Sequence, residues 1–209
     1  MEKLSIAGPA GPLEAQIQRN PNTQSWAVVC HPHPLFGGTM TNKVVTTLAK
    51  LYESLGLNVI RFNFRGVGAS AGEYAHGTGE TLDTLAVVRH LQTQEGANRL
   101  FIAGFSFGSF VAAQATADLA DQAGVCVVDH LALIAPSVEN FCYPDVMPCA
   151  TTVVIAEEDE VVDAQAGLDW AHALVPPVEI LEFEGASHFF HGKLIELRER
   201  LRETLEDHI

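Results

Sequence analysis

Short apolar runs alternate with longer segments of helical periodicity along the whole chain. Ser25–His31 reads SWAVVCH, an almost continuous apolar run that is typical of a strand buried on both faces. The next apolar positions, Val44, Leu48, Leu51 and Leu55, are four, three and four residues apart, which predicts a helix. Because the two patterns recur to the C-terminus, the chain is predicted to consist of repeated strand–helix units.

Turn residues separate the predicted elements and set their approximate limits. The predicted strands are Lys3–Ile6, Leu13–Gln18, Ser25–His31, Asn58–Phe64, Arg99–Phe105, His130–Ala135, Thr151–Ala156 and Val178–Phe183, and the predicted helices are Val44–Leu55, Glu80–Gln94, Phe107–Ala123 and Phe190–Leu205. Parallel neighbours need crossover connections, so this order predicts an α/β fold with a mostly parallel sheet of about eight strands and helices on both faces. We expect a single domain over residues 1–209, with its chemistry at the carboxyl ends of the strands.

Composition and charge exclude several classes of protein. Apolar residues make up 47% of the chain and charged residues 18%, which supports a large core and excludes disorder. Lys+Arg 12 against Asp+Glu 26 gives a net charge of −14, which repels phosphate backbones and anionic lipid. We therefore expect neither nucleic acid nor a membrane surface as a partner.

Cysteine usage and the N-terminus predict the compartment. Cys30, Cys126, Cys142 and Cys149 form no CxxC pair, and Cys30 and Cys126 lie in apolar runs, which predicts free thiols in a reducing environment. Met1–Ser5 has no basic region followed by an apolar stretch, so we expect no signal peptide. These features predict a soluble cytoplasmic protein.

A candidate nucleophile stands at one predicted strand end. The segment GFSFG, residues 104–108, falls where a strand turns into an Ala-rich helix. Its glycines allow a sharp turn that exposes the Ser106 hydroxyl, and the helix N-terminus favours developing negative charge. The alternative is an incidental serine in a glycine-rich turn, because a serine hydroxyl needs an adjacent base, itself oriented by an acid.

Two later strand ends supply such groups. Thr151–Ala156 runs into EEDEVV, residues 157–162, and Val178–Phe183 runs into EGASHFF, residues 184–190. A solvated acidic loop and an ordinary histidine would each explain one segment alone. The order Ser, Asp, His along the chain, with each residue in the loop after a predicted strand, is the order that the α/β-hydrolase architecture requires.

The chain resembles an α/β-hydrolase-fold serine hydrolase over nearly its whole length. CHPHPLFGGTM at residues 30–40 and RFNFRGVG at residues 61–68 are similar to segments of compact, lidless bacterial hydrolases near the dienelactone-hydrolase-like and serine-aminopeptidase-like branches. The resemblance implies an α/β-hydrolase fold without a lid domain, in keeping with the short Ser137–Ala150 connection. The aromatic residues on the loops around the expected site, which fit an acyl or aryl pocket but for each of which core packing is the alternative, are Phe36, Phe141, Tyr143, Phe189 and Phe190.

Family motifs map onto three positions of this chain. GxSxG implies Ser106 as the nucleophile, GExDxVV implies Asp159 as the acid, and GAxHFF implies His188 as the base. The acidic turn departs from the family pattern at two positions, so Glu157 and Asp163 stay open as alternative acids.

The resemblance also implies an oxyanion hole. One donor is the backbone N–H after the nucleophile, here that of Phe107, and the second comes from the HPHP loop. Proline has no N–H, so Pro32 and Pro34 are excluded and His33 or Leu35 must donate. We favour His33.

Two further patterns have structural interpretations. His31 and His33 stand two residues apart but have no third ligand at a sensible spacing, so we expect no metal and no cofactor. Arg65–Ser70 lacks the lysine and the spacing of a phosphate loop, which favours a structural turn. The side chains that either anchor this turn or face solvent are Lys43, Glu80 and Asp83.

The predicted function is hydrolysis of a carboxylic ester or thioester of a small-molecule acyl substrate, through a Ser-His-Asp triad and an acyl-enzyme. An amidase or peptidase of the same fold stays open, because leaving-group preference depends on the shape of the pocket. A non-catalytic binding domain of this fold is the alternative from another class. The sequence does not decide whether the chain forms homo-oligomers.

Overall fold

The computed structural model describes residues 1–122 and 127–209. In chain order the elements are β1 (Glu2–Gly8), β2 (Gly11–Gln18), β3 (Ser25–Cys30), a 3₁₀ turn (Pro34–Phe36), α1 (Lys43–Ser54), β4 (Asn58–Phe62), α2 (Thr78–Gln94), β5 (Arg99–Phe105), α3 (Phe107–Ala120), β6 (Val127–Ile134), β7 (Ala150–Ala156), α4 (Ala164–Ala173), β8 (Glu179–Phe183) and α5 (Leu194–Glu206). The strands form one sheet in the order β1-β2-β4-β3-β5-β6-β7-β8. Only the β1–β2 and β2–β4 pairs are antiparallel among the described strands. The predicted eight-stranded, mostly parallel sheet is confirmed.

Helices cover both faces of the sheet and create two apolar cores. Leu48 of α1 and Leu201 of α5 are buried on one face, and Val87 of α2 and Val111 of α3 are buried on the other. Neighbouring strand residues alternate between the two cores, so a central strand such as β3 must be apolar throughout. Each fully buried Val or Leu side chain stabilises the fold by about 1.5–3 kcal/mol.

Helix α4 is an element that the hydrophobic pattern did not predict. It connects the parallel strands β7 and β8, which require a crossover between them. Asp163 caps it, since its Oδ1 accepts the Ala166 N–H at 3.0 Å. The available signal was this cap together with Ala164, Leu168 and Ala171 at helical spacing, but alanines contribute too little to a hydrophobic pattern to stand out.

Some predicted limits change for local reasons. Helix α5 begins at Leu194 rather than at Phe190, because Phe190 has a φ of 53° that no α-helix accommodates. The predicted end of α3 at Ala123, and Cys126, lie outside the described residues. The remaining cysteines, Cys30, Cys142 and Cys149, are free thiols. Within residues 1–122 and 127–209, no helix combines the length and apolar character needed to cross a bilayer.

Candidate active site

Ser106 occupies a strained turn between β5 and α3. Its φ of 55° and ψ of −122° lie in a region that residues other than glycine rarely adopt. A Cβ on Gly104 would collide with the carbonyl of Gly108, and a Cβ on Gly108 would collide with the carbonyl of Cys30. The two glycines therefore allow the turn to pack directly against the end of β3, with the serine at its apex.

Asp159 and His188 form a buried acid–base pair. His188 Nδ1 lies 2.7 Å from Asp159 Oδ2, and the two side chains are only 2% and 1% exposed. Asp159 Oδ1 accepts the N–H groups of Val161 and Val162 at 2.8 and 2.9 Å, which fixes the carboxylate in place. Because a carboxylate accepts, Nδ1 donates to it, and this bond favours the tautomer of the neutral ring whose lone pair is on Nε2.

The loop that carries His188 folds back beside the turn that carries Ser106. The His188 ring lies against Phe105, the residue before Ser106, with a centroid distance of 4.9 Å. Glu160 Oε2 accepts the His188 backbone N–H at 3.0 Å. The two residues are 28 positions apart, so the local sequence around either one could not predict this contact. Among the described residues no hydrogen bond joins the Ser106 hydroxyl to the His188 ring, and such bonds commonly shorten as substrate binds.

The two alternative acids have other partners. Glu157 Oε2 accepts the Gly185 N–H at 3.1 Å, and Asp163 caps α4. Of the three acids considered for this turn, Asp159 is the one that the structure brings to His188.

The HPHP loop ends against the start of α3. The ring of His33 lies 4.9 Å from the ring of Phe107, centroid to centroid. His33 Nδ1 accepts the Leu35 N–H at 3.2 Å, so the Leu35 donor is already engaged. Partial burial lowers the pKa of His33, which favours the neutral ring that this bond requires. Across residues 1–122 and 127–209, the N–H groups of His33 and Phe107 have no hydrogen-bond acceptor.

His31 has a structural position in this loop. Its Nε2 accepts the Phe64 N–H at 3.0 Å, so its Nδ1 carries the proton and donates to the Pro32 carbonyl at 2.7 Å. Both ring nitrogens are therefore used within the fold. No group of three His, Cys, Asp or Glu residues suited to a metal occurs in the described part of the chain.

We expect the protein to lose stability in acid because two of its histidines, His31 and His130, are buried. Burial lowers the pKa of His31 to about 4, and burial followed by the charge of His208 lowers that of His130 to about 3. Both rings have a pKa of about 6.5 in the unfolded chain. Below that pH the unfolded chain binds more protons, so stability is complete above about pH 6.5 and falls as the pH drops toward 4. We expect each ring to cost about 2 kcal/mol of unfolding free energy at about pH 5.

Urea denaturation at about pH 7.5 and about pH 5 measures this loss. His130 supplies the control, because it lies at the opposite end of the strands from Ser106 and pairs with Thr152 at 3.0 Å. In His130→Leu the acid-dependent loss is expected to halve. An equal loss in both proteins would contradict the assignment.

Helix α2 anchors the glycine-rich loop after β4. Asp83, fully buried, accepts the backbone N–H, Nε and Nη2 of Arg65 at 2.9, 3.0 and 2.7 Å. Glu80, also fully buried, accepts the N–H groups of Ala75 and Gly77. These contacts fit the predicted structural turn, and they show Glu80 and Asp83 as anchors rather than as a solvated helix face.

The aromatic residues expected around the site divide into two groups. Phe36 and Phe189 are exposed, at 87% and 38%, and Phe141 is half-buried. Core packing, the alternative given for each of them, holds for Phe190, which is fully buried, and for Tyr143, whose hydroxyl is bonded inside the protein.

Comparisons with known proteins decide the family. XC6422 of Xanthomonas campestris, an α/β serine hydrolase without a lid, is 39% identical with a TM-score of 0.90, covering 99% of this chain and 94% of that one. An α/β serine hydrolase homologue of Coxiella burnetii is 43% identical with a TM-score of 0.89, covering 98% and 97%. An uncharacterized protein of Rickettsia prowazekii is 30% identical over 98% of this chain and 89% of its own. No protein-family model matches the chain. The chain belongs to the lidless α/β serine hydrolases.

In this lidless α/β serine hydrolase, residues 135–149 connect β6 to β7. All of them are described, and none is helical. The segment instead packs inward, with Tyr143 and Met147 in the core beside α3 and α4. The predicted absence of a lid is confirmed, and the chain is a hydrolase of this fold.

Proposed function

We propose that this hydrolase cleaves carboxylic ester or thioester bonds with Ser106 as nucleophile, His188 as general base and Asp159 as the acid that orients it. The observation that supports this most strongly is the buried Asp159–His188 bond of 2.7 Å on a loop that packs against the nucleophile turn. Asp159 holds the ring in the tautomer that leaves Nε2 free to take a proton, and it stabilises the imidazolium that forms.

The reaction proceeds in two steps. His188 takes the hydroxyl proton as Ser106 Oγ attacks the carbonyl carbon, and the imidazolium then protonates the leaving alcohol or thiol as the bond to the acyl group breaks. Water attacks the acyl-enzyme in the second step. His188 again takes a proton and returns it to Ser106, which releases the carboxylic acid.

The oxyanion of each tetrahedral intermediate lies between two backbone donors. Phe107 N–H supplies one, and His33 N–H is favoured over Leu35 for the other because Leu35 already donates to His33 Nδ1. The contact between the His33 and Phe107 rings supports this pairing, because it brings the two segments side by side. Donors arranged in advance for developing charge are commonly the largest electrostatic contribution to acyl transfer.

Exposed apolar side chains favour a substrate with apolar groups. Leu35 and Phe36, which follow the favoured donor His33, are 68% and 87% exposed, and Phe189, which follows the base, is 38% exposed. We call these three residues the apolar rim. Since water is displaced from apolar surface at a gain of about 25 cal/mol per Å², an ester whose groups cover the rim binds better than a small polar one.

A matched panel tests the bond class. An ester, a thioester and an amide with the same apolar acyl group are offered to the wild type and to Ser106→Ala, and release of the acid is followed. We expect turnover of the ester and thioester that disappears in Ser106→Ala. Faster cleavage of the amide would indicate an amidase, and no turnover of any member by folded wild type would favour a binding domain.

A further inference from the structure

A chain of buried hydrogen bonds ends on the carbonyl of Ser106. The Ser137 N–H donates to Tyr143 Oη at 3.1 Å, Tyr143 Oη lies 2.6 Å from Ser109 Oγ, and Ser109 Oγ donates to the Ser106 carbonyl oxygen at 2.6 Å. All four residues are buried, at 5%, 7%, 0% and 8% exposure. Water therefore does not compete for these groups, and each bond is kept in a medium where its loss is costly.

The direction of every bond in this chain is determined. A carbonyl oxygen only accepts, so the single hydroxyl hydrogen of Ser109 is used on Ser106 and cannot also be donated to Tyr143. Tyr143 must therefore donate to Ser109, which donates to Ser106. Burial raises the pKa of Tyr143, which keeps its proton available for this donation.

The hydrogen bonds hold the peptide group between Ser106 and Phe107, and this group carries the proposed oxyanion donor, the Phe107 N–H. The carbonyl of Ser106 and the N–H of Phe107 belong to the same planar, trans peptide group, in which oxygen and hydrogen point in opposite directions. Fixing the carbonyl therefore fixes the direction of the N–H. A hydrogen bond accepted by an amide oxygen also polarises the group and strengthens its N–H as a donor.

The backbone provides one hydrogen bond to the Ser106 carbonyl. Ser109 N–H donates to Ser106 O at 2.9 Å as the first turn of α3 forms. The Ser109 hydroxyl occupies the second acceptor position of the same oxygen, and Tyr143 fixes the rotation of that hydroxyl. The carbonyl is thus held from two directions across a turn whose backbone is strained.

We propose that Ser109 and Tyr143 are positioning residues that aim the Phe107 N–H at the oxyanion. The proposal rests on the proposed function, because it requires Ser106 to be the nucleophile and Phe107 to be a donor. It also gives the segment between β6 and β7 a role in catalysis: this segment supplies Tyr143 and Ser137, and through them it supports the nucleophile turn from behind.

Ser109→Ala and Tyr143→Phe test this role with paired substrates. Each variant is assayed on an ester and on the thionoester with the same acyl and alcohol groups, after wild type and Ser106→Ala have established Ser106-dependent turnover. Sulfur is a weak hydrogen-bond acceptor, so a thionoester gains little from oxyanion donors. We expect kcat on the ester to fall about tenfold with KM unchanged, a fraction of the loss that follows removal of a donor. The ester-to-thionoester ratio should fall by about the same factor.

Thr116→Val is the matched control. Thr116 is also a fully buried hydroxyl of α3, and it bonds to the Ala112 carbonyl at 2.8 Å, two turns beyond the site. Its ester-to-thionoester ratio should equal that of wild type. The double variant of Ser109 and Tyr143 should lose little more than either single one, because the two hydroxyls act in series.

The outcomes separate this proposal from the proposed function. Turnover that survives in Ser106→Ala would overturn the proposed function and this role with it. Ser106-dependent turnover with an unchanged ester-to-thionoester ratio in Ser109→Ala and Tyr143→Phe would overturn the positioning role alone. If Tyr143→Phe does not fold, Ser109→Ala decides the question, because alanine suits a helix interior.

Discussion

Ser106→Ala and His188→Ala are each expected to lower kcat by about 10⁴–10⁶, and the double variant is expected to lose little more than either one. The serine without its base is a weak nucleophile, and the base without the serine has no proton to take, so the two side chains act as one unit. Steady-state turnover of an apolar ester by the three variants measures this. The residual rate should reflect binding and the oxyanion donors alone.

Ser54→Ala is the matched control for this series. Ser54 lies at the end of α1, where its hydroxyl donates to the Leu51 carbonyl, and its loss should leave turnover at the wild-type level. Losses that multiply in the double variant of Ser106 and His188 would mean that the two groups act independently, which a nucleophile and its base cannot do.

Asp159→Asn is expected to lower kcat by about 10⁴. Asparagine keeps the shape of the side chain, but its amide donates to His188 Nδ1, which moves the ring proton to Nε2 and removes the lone pair that takes the serine proton. Glu157→Gln and Asp163→Asn keep an oxygen acceptor for Gly185 and Ala166, so both variants should stay within about twofold of wild type.

The three variants together decide which acid serves the base. Turnover and the melting temperature are compared, so that a loss of folding is not counted as a loss of chemistry. A large loss of kcat in folded Asp163→Asn or Glu157→Gln, with Asp159→Asn near wild type, would contradict the assignment.

The centre of the sheet could be predicted from the sequence because strands such as β3 and β5 are buried on both faces. A short continuous apolar run such as that of β3, rich in valine and too short for a helix, indicates a buried strand, and repeated β–α–β units allow few topologies. The helix α4 could not be predicted in the same way. Ala164 and Ala171 give a weak apolar stripe, and the helix depends on its cap and on the crossover between β7 and β8.

The sequence motifs could predict the three main residues of the candidate site but not the contacts that support them. Ser106, Asp159 and His188 each follow a strand, and parallel strands bring their carboxyl ends to one edge. The supporting contacts could not be predicted from the sequence, because they join residues that are far apart in the chain. Tyr143 stands in a segment without periodicity, 34 residues from Ser109, and only the folded structure shows that the two hydroxyls meet.

Labelling with a fluorophosphonate probe tests whether Ser106 is an activated nucleophile. The probe reacts with a serine that an adjacent base activates, whatever acyl substrate the enzyme uses. Wild type, Ser106→Ala and Ser54→Ala are treated at equal concentration, and the adduct is located by mass spectrometry. We expect one adduct on Ser106 in wild type and in Ser54→Ala, and none in Ser106→Ala. Folded wild-type protein that stays unlabelled, or an adduct on another serine, would contradict this assignment of Ser106.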